Sequence, residues 1–366
     1  MILLIVILIS ILTVVVIVYI QQAKFGKVAS GDRLDLINKS SNFKDGKFQN
    51  INFTPELSEG YSTFGVMYDQ FFKKSPRRTP VDNIPSIKAN LIDLDLNDNV
   101  LIWFGHSSYF MQIDGKRILV DPVFSGNASP IPGTIKSFKG TDVFTVDDLP
   151  QIDYLFISHD HYDHVDYSTL IELKDEINKL ICGLGVGAHF EHWGYFKDQI
   201  IETDWHEEVK LDSGFTSFST PARHFSGRKF TRNETLWQSY VLKTPSLKIY
   251  IGGDSGYDTH FKEIGEKFGP IDLAILDNGQ YDVAWRAIHM LPEEVLIATQ
   301  DLNAKRLFPV HSSKFVMANH PWDEPLVKIS ELNKEQNIPL VTPKIGEIVN
   351  LNNTSQTFKK WWIGID

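Results

Sequence analysis

Cysteine is nearly absent from this 366-residue chain, with Cys182 standing alone. An internal disulfide framework and a cysteine-ligated structural zinc site are therefore excluded. Basic residues are also scarce: 36 against 46 acidic ones, for a formal charge of −10. Binding nucleic acid by bulk electrostatics needs the opposite balance, because phosphates must be neutralised, so no nucleic-acid partner is expected. No G-x-S-x-G sequence supplies an exposed serine nucleophile. Apolar residues are plentiful, and 42% hydrophobic with 22% charged residues marks a folded chain.

Charge is missing altogether from Met1 to Ile20, MILLIVILISILTVVVIVYI. About 20 apolar residues are what a helix needs to cross the hydrocarbon core. A cleaved signal peptide would want a basic start, a shorter apolar stretch and small residues before the cleavage point, and none of these is clear. Residues 1–20 thus predict a single-pass membrane anchor. Its nearest charges, Lys24, Lys27 and Arg33, all follow it, which places the rest of the chain on the cytoplasmic side by the positive-inside bias.

Residues 21–75 read as a tether and irregular lead-in, rich in Gly, Ser, Asn and Lys, with loop-like composition persisting to about residue 95. Lys73, Lys74, Arg77 and Arg78 form a basic cluster, either a solvated surface or a contact for anionic lipid headgroups. From Asn99 short β-rich runs alternate with turns. Val100–Phe104, Ser108–Ile113 and Arg117–Val120 read as strands, with a hairpin turn at Asp114-Gly115. Tyr154–Ile157, Leu247–Ile251, Leu273–Leu276 and Leu307–Val310 read as buried strands. Leu170–Leu180 has helical spacing, and Pro292 with Glu293 and Glu294 opens another helix. An internal repeat is also suggested. IDYLFISHDHYD from Ile152 parallels IDLAILDNGQYD from Ile271, and hairpins opening at Ser108 and Ser239 close on Asp121 and Asp254.

The decisive segment is Ser158-His159-Asp160-His161-Tyr162-Asp163-His164. In extended chain, residues two apart share a face, so His159 and His161 can close on one metal. Asp163 and His164 follow where the chain must turn and can face a second ion. Asp160 points elsewhere and is expected to support the ligands from outside. Imidazole and carboxylate suit zinc and are compatible with iron or manganese. Three further residues share one placement, just past the end of an apolar strand: His224, Asp254 between glycines, and His311. His106 is expected to support a ligand or face substrate, with a structural role as the alternative. His289 lies just before the Pro292 helix, whose N-terminus favours anions. His189, His192, His206, His260 and His320 read as structural or exposed.

At these residues the chain resembles the metallo-β-lactamase fold, whose H-x-H-x-D-H motif matches residues 159–164. GHSSYFMQIDGKRILVDPVFS, TPARHFSGR, GGDSGY and HMLPEE resemble the branch containing N-acyl-phosphatidylethanolamine phospholipase D, over roughly residues 75 to 350. The resemblance implies an α/β (α+β) domain over residues 76–366, a four-layer αββα sandwich holding two zinc ions. It implies His159, His161 and His224 on one ion, Asp163, His164 and His311 on the other, and Asp254 between them. It further implies a role for His289 near the scissile phosphate, so that Asp163 and His289 are the expected catalytic residues. Two departures stand out: Ser312-Ser313-Lys314 after the last ligand, and Asn278-Gly279-Gln280 before Tyr281. Both are expected near the pocket wall, with Tyr281 a candidate substrate contact. Asp121 is a candidate partner for a ligand histidine.

The expected activity is phospholipase D-type hydrolysis of an N-acyl-phosphatidylethanolamine-like phospholipid. A hydroxide shared by the cations would attack phosphorus, and the membrane would supply the substrate. The alternatives are hydrolysis of a small phosphorylated lactone or other ester, and a non-enzymatic tethered metal-binding protein. Oligomeric state is not legible. Cys182, within an apolar stretch, reads as an inert buried thiol.

Overall fold

A computed structural model describes residues 1–366. Helix α1, Ile2–Ile20, is long and apolar enough to cross a bilayer, and the protein buries none of its residues. Its foot is fixed: the Tyr19 hydroxyl donates to the Pro130 carbonyl at 2.8 Å, and Phe25 is buried.

The following stretch is not a loose tether. It contains helix α2 (Asp32–Ile37), a small hairpin of β1 (Phe43–Lys44) and β2 (Lys47–Phe48), and helix α3 (Thr63–Phe72). Phe25, Ala29, Ile37 and Phe48 are buried, and Arg33 pairs with Glu202 at 2.5 Å and Glu191 at 2.8 Å. The Asn50 amide brackets the His224 backbone, donating to its carbonyl at 2.8 Å and accepting from its N–H at 3.1 Å. The lead-in is thus stitched to the two-sheet body by contacts some 170 residues away in sequence.

Two sheets carry the body. The first contains β3 (Val100–Trp103), β4 (Tyr109–Ile113), β5 (Lys116–Val120), β6 (Ile152–Phe156), β7 (Ile177–Gly183) and β8 (Ile200–Thr203), with helices α4 (Tyr167–Leu173) and α5 (Gly187–His192) among the connections. The second contains β9 (Glu208–Lys210), β10 (Thr216–Thr220), β11 (Ser239–Lys243), β12 (Lys248–Ile251), β13 (Leu273–Asp277) and β14 (Leu307–Val310). Helices α6 (His260–Phe268), α7 (Pro292–Asp301) and α8 (Glu324–Gln336) belong to that half, and β15 (Ile348–Asn350) returns to the first sheet beside β3.

Period-two alternation makes the layers. Tyr109, Met111, Ile118 and Phe156 face Tyr240, Ile249, Ile251, Ile275 and Phe308 in one core between the sheets. Their neighbours Phe110, Leu119, Leu155 and Leu180 pack outward on Leu170, Leu173 and Phe190. On the far side Tyr250, Ala274 and Leu276 pack on Phe261, Val295 and Ile329. The order is helix, sheet, sheet, helix. Strands buried on both faces read as unbroken apolar runs, which is why they were visible in the sequence.

The expected helix over Leu170–Leu180 ends at Leu173; one 3-10 turn follows, and Ile177–Gly183 is strand β7. The 170, 173, 177, 180 spacing is that of a helix stripe, but 177 and 180 fall on opposite faces of β7, and pairing with β6 and β8 decides for the strand. The internal repeat has a counterpart in topology. In both sheets a hairpin (β4–β5, β11–β12) is followed by two parallel strands (β6 and β7, β13 and β14).

Candidate metal centre

The site lies where strands of both sheets end. Asp121 follows β5, residues 158–164 follow β6, His224 follows β10, Asp254 follows β12 and His311 follows β14. Close approach of the two sheet edges requires glycine at 253. Its φ is +61°, and a Cβ there would sit 2.6 Å from the Ser158 Cβ. His106, Asp121 and His311 themselves occupy left-handed backbone, at φ 54°, 42° and 67°. Such conformations persist where surrounding contacts over-determine them, and they concentrate at functional sites.

The expected ligands converge. His159 Nε2 and His224 Nε2 lie 2.8 and 3.3 Å from His161 Nδ1. Asp163 Oδ2 is 3.5 Å from His164 Nε2 and 4.0 Å from His311 Nε2. Asp254 sits between the groups. Its Oδ2 is 3.2 Å from His164 Nε2 and 3.8 Å from both His159 Nε2 and His224 Nε2, while Oδ1 is 3.1 Å from His311 Nδ1.

Two observations show that these residues fit divalent cations. First, Asp121, Asp163, Asp254 and Asp277 are all buried, and their only ion-pair partners are histidines. Asp121, Asp163 and Asp254, with no lysine or arginine beside them, concentrate negative charge that only imidazoles offset, a setting that suits divalent cations. Second, His164 Nε2, His311 Nε2, His106 Nδ1 and Asp254 Oδ1 are buried without a hydrogen-bond partner. Burial holds His159, His224 and His311 well below the usual imidazole range, which keeps them neutral, as metal ligands must be. Burial opposes charge on Asp254 too, but the charge and hydrogen bond of His164 outweigh it and hold the carboxyl well down.

Surrounding groups orient the cluster. Asp121 accepts from His164 Nδ1 at 2.8 Å, from the Ser158 N–H at 2.9 Å and from the Ser158 hydroxyl at 2.6 Å. His106 Nε2 lies 2.9 Å from Asp163 Oδ2, so His106 positions that carboxylate. Asp160 does turn away: it accepts from the Gly227 N–H at 2.7 Å, Thr235 Oγ1 at 2.9 Å and His189 Nε2 at 3.1 Å.

Tyr281 does not reach the site. Its hydroxyl donates to Glu324 at 3.1 Å and its ring stacks on His320. Turn geometry after β13 instead gives the cavity wall to Gln280, whose φ is 55°. Ser312-Ser313-Lys314 also leaves the pocket wall. Lys314 is buried, and its ammonium donates to the carbonyls of Phe104 and Val123.

The sequence reading missed Asp277 and Ser107. Asp277 accepts from His289 Nδ1 at 2.7 Å, and burial pushes its carboxyl up to about 7. It ends the strand LAILD, the placement that singled out the other ligands. Ser107 Oγ lies 2.8 Å from His311 Nδ1 and offered no signal beyond adjacency to His106.

His161, Asp163, His224, Asp254, His289 and His311 form the floor of a cavity of about 860 Å³. Leu57, Val66, Met67, Phe225, Trp285, Ile288 and Met317 give it apolar walls, and Lys47 and Arg232 lie on its lining.

A sandwich with this cluster between its sheets defines a metal-dependent hydrolase of the metallo-β-lactamase class, and the comparisons agree. The chain belongs to the β-lactamase superfamily: residues 116–312 match the Beta-lactamase superfamily domain. An uncharacterised protein of Mycobacterium tuberculosis is 34% identical over 328 residues, 88% of each chain. The N-acyl-phosphatidylethanolamine-hydrolyzing phospholipase D 1 of Caenorhabditis elegans is 28% identical over 312 residues, 76% of this chain and 86% of that one. Among solved structures, Igni18, a metallo hydrolase from Ignicoccus hospitalis, aligns with a TM-score of 0.52 at 22% identity, covering 69% of this chain and 97% of that one; it speaks for the fold alone.

Proposed function

We propose that the protein is a membrane-anchored phosphodiesterase of phospholipase D type that hydrolyses N-acyl-phosphatidylethanolamine-like phospholipids. The observation that carries the reading is the seven-residue ligand cluster, five of whose members, His161, Asp163, His224, Asp254 and His311, face a cavity with apolar side chains on its walls. His159, His161 and His224 would hold one cation and Asp163, His164 and His311 the other, with Asp254 shared; two zinc ions are the first choice. When bound, such cations supply a hydroxide near neutral pH and stabilise charge on the phosphoryl oxygens.

The remaining work falls to the chain's own side chains. Apolar walls accept acyl chain and exclude water. Asp277 accepts the Nδ1–H of His289 and favours its protonated form against burial, so the imidazolium's Nε2–H can orient the phosphate or pass its proton to the departing alkoxide. Asp121 and His106 hold His164 and Asp163 in place. Helix α1 keeps the cavity beside the bilayer, with the body on the cytoplasmic side.

Incubating the full-length protein with N-acyl-phosphatidylethanolamine should release phosphatidic acid and the N-acylethanolamine. His161→Ala and Asp254→Ala should abolish that release while leaving the fold largely intact. Turnover of lactones or soluble phosphodiesters alone would overturn the lipid assignment and favour a small-ester hydrolase.

A further inference from the structure

Helix α3 has an apolar face that nothing in the protein covers. Thr63, Val66 and Met67 line the cavity, and Gln70 hydrogen-bonds the Met317 carbonyl on the same side. Phe64, Tyr68, Phe71 and Phe72 fall at i, i+4, i+7 and i+8, one stripe on the opposite face. All four are exposed, Phe64 by 81% and Phe72 by 75%, and the helix has no buried residue at all. Phe230, which lines the cavity, is 80% exposed, and Phe53, next to the lining residue Thr54, is 88% exposed. Isolated exposed apolar side chains are ordinary; exposed aromatic rings gathered on segments that line one pocket mark an interaction surface.

Charge points to the occupant. The chain is acidic overall, yet Lys47 lines the cavity, Lys229 precedes the lining residue Phe230 and Lys74 follows α3 closely, none of them in an ion pair, while the lining carboxylate Glu56 is paired with Arg232 at 3.5 Å. Of the basic cluster at 73–78, Arg77 and Arg78 are spent on Asp323 and on backbone carbonyls, and Lys73 pairs with Asp69. A second copy of the chain would set lysines against lysines; an anionic headgroup layer would not.

The anchor points the same way. The Arg228 guanidinium donates to the Lys24 carbonyl at the foot of α1, at 2.7 Å, and the next residues, Lys229 and Phe230, run to the cavity mouth. Foot and rim share one loop, so the bilayer that receives α1 lies against the rim.

We infer that the Phe64, Tyr68, Phe71 and Phe72 face of α3, with Phe53 and Phe230, docks into the leaflet at the foot of the anchor, so that the cavity opens into lipid. The inference rests on the anchored, lipid-hydrolysing reading above. An in-plane amphipathic helix of this kind sits about 5–10 Å into the headgroup and acyl boundary.

The test uses the full chain in nanodiscs of phosphatidylcholine and phosphatidylglycerol. Phe71→Cys is labelled with nitrobenzoxadiazole; Cys182 is buried and does not compete. Lys334→Cys, on α8, is the control. The Phe71 label should shift to the blue and lose roughly half its emission to nitroxide lipids, while the Lys334 label should not. Phe64→Ser/Phe71→Ser/Phe72→Ser should lower phospholipid turnover on the order of tenfold with hydrolysis of a soluble phosphodiester unchanged. A water-like, unquenched Phe71 label would overturn the inference, as would shielding of that label by a second copy in single-chain dilution series. Unchanged lipid turnover in the triple variant would overturn it too. Should the unmodified protein release no phosphatidic acid, the functional reading fails while the quenching result still decides the docking.

Discussion

Asp121→Asn tests the organisation of the site without touching a ligand. The wild-type carboxylate is buried and accepts three hydrogen bonds, from His164 Nδ1, the Ser158 N–H and the Ser158 hydroxyl, all between 2.6 and 2.9 Å. Asparagine keeps the size but has one acceptor oxygen and turns a donor towards groups that are themselves donors. At least one buried donor loses its partner, a cost of about 1–3 kcal/mol in stability. His164 also loses the carboxylate that fixes its tautomer and raises its basicity as a ligand. Substitutions of this kind cost about 10- to 100-fold in metal affinity, or about 1.4–2.8 kcal/mol at 1.4 kcal/mol per decade. Chelator competition gives the metal affinity, and thermal unfolding with and without metal gives the stability. We expect both to fall, with the metal-loaded form losing more. Wild-type metal affinity together with a wild-type melting temperature would refute the claim that Asp121 orients His164.

Other expected outcomes follow from individual contacts. Asp277→Asn should lower kcat about 10- to 100-fold and alter the pH–rate profile with metal content unchanged, because it releases only His289. Gly279→Ala should destabilise the fold by about 1–3 kcal/mol and loosen metal on the His311 side, since the new Cβ would meet the His311 carbonyl oxygen at 2.0 Å; calorimetry and metal analysis check both. Burial pushes the Asp160 carboxyl up, but the hydrogen bond and charge of His189, with His161 and Arg228, outweigh it and hold the group well below the carboxylate range. A depressed folded-state value contributes stability that is complete above the unfolded value, about 4, and is lost as pH falls below it. Asp160→Asn should therefore melt earlier than wild type at neutral pH, with the gap closing progressively below about pH 4.

Much of the site was legible because its ligands obey a local rule: a polar residue at, or within four residues of, the C-terminal end of a core strand. His159, His224, Asp254 and His311 satisfy it, and Asp277 satisfies it too, although only the hydrogen bond to His289 reveals its use. Tyr281 was misplaced because sequence order does not fix which way a turn sends successive side chains; at φ 55° Gln280 takes the wall and Tyr281 faces Glu324. The strand at Ile177–Gly183 was hidden by apolar residues that happen to fall at helical spacing, and pairing with β6 and β8 settles it. Lead-in residues 21–75 were unreadable for a related reason. Phe25, Ile37 and Phe48 are single apolar residues in polar surroundings, with no period of their own, and their burial is set by distant partners.

The central claim is that seven side chains from both sheets grip a pair of cations. Elemental analysis of the purified full-length protein tests it most directly. We expect about two divalent ions per chain, and well below that in Asp254→Ala at comparable secondary-structure content. A folded, hydrolytically active preparation without stoichiometric metal would contradict it.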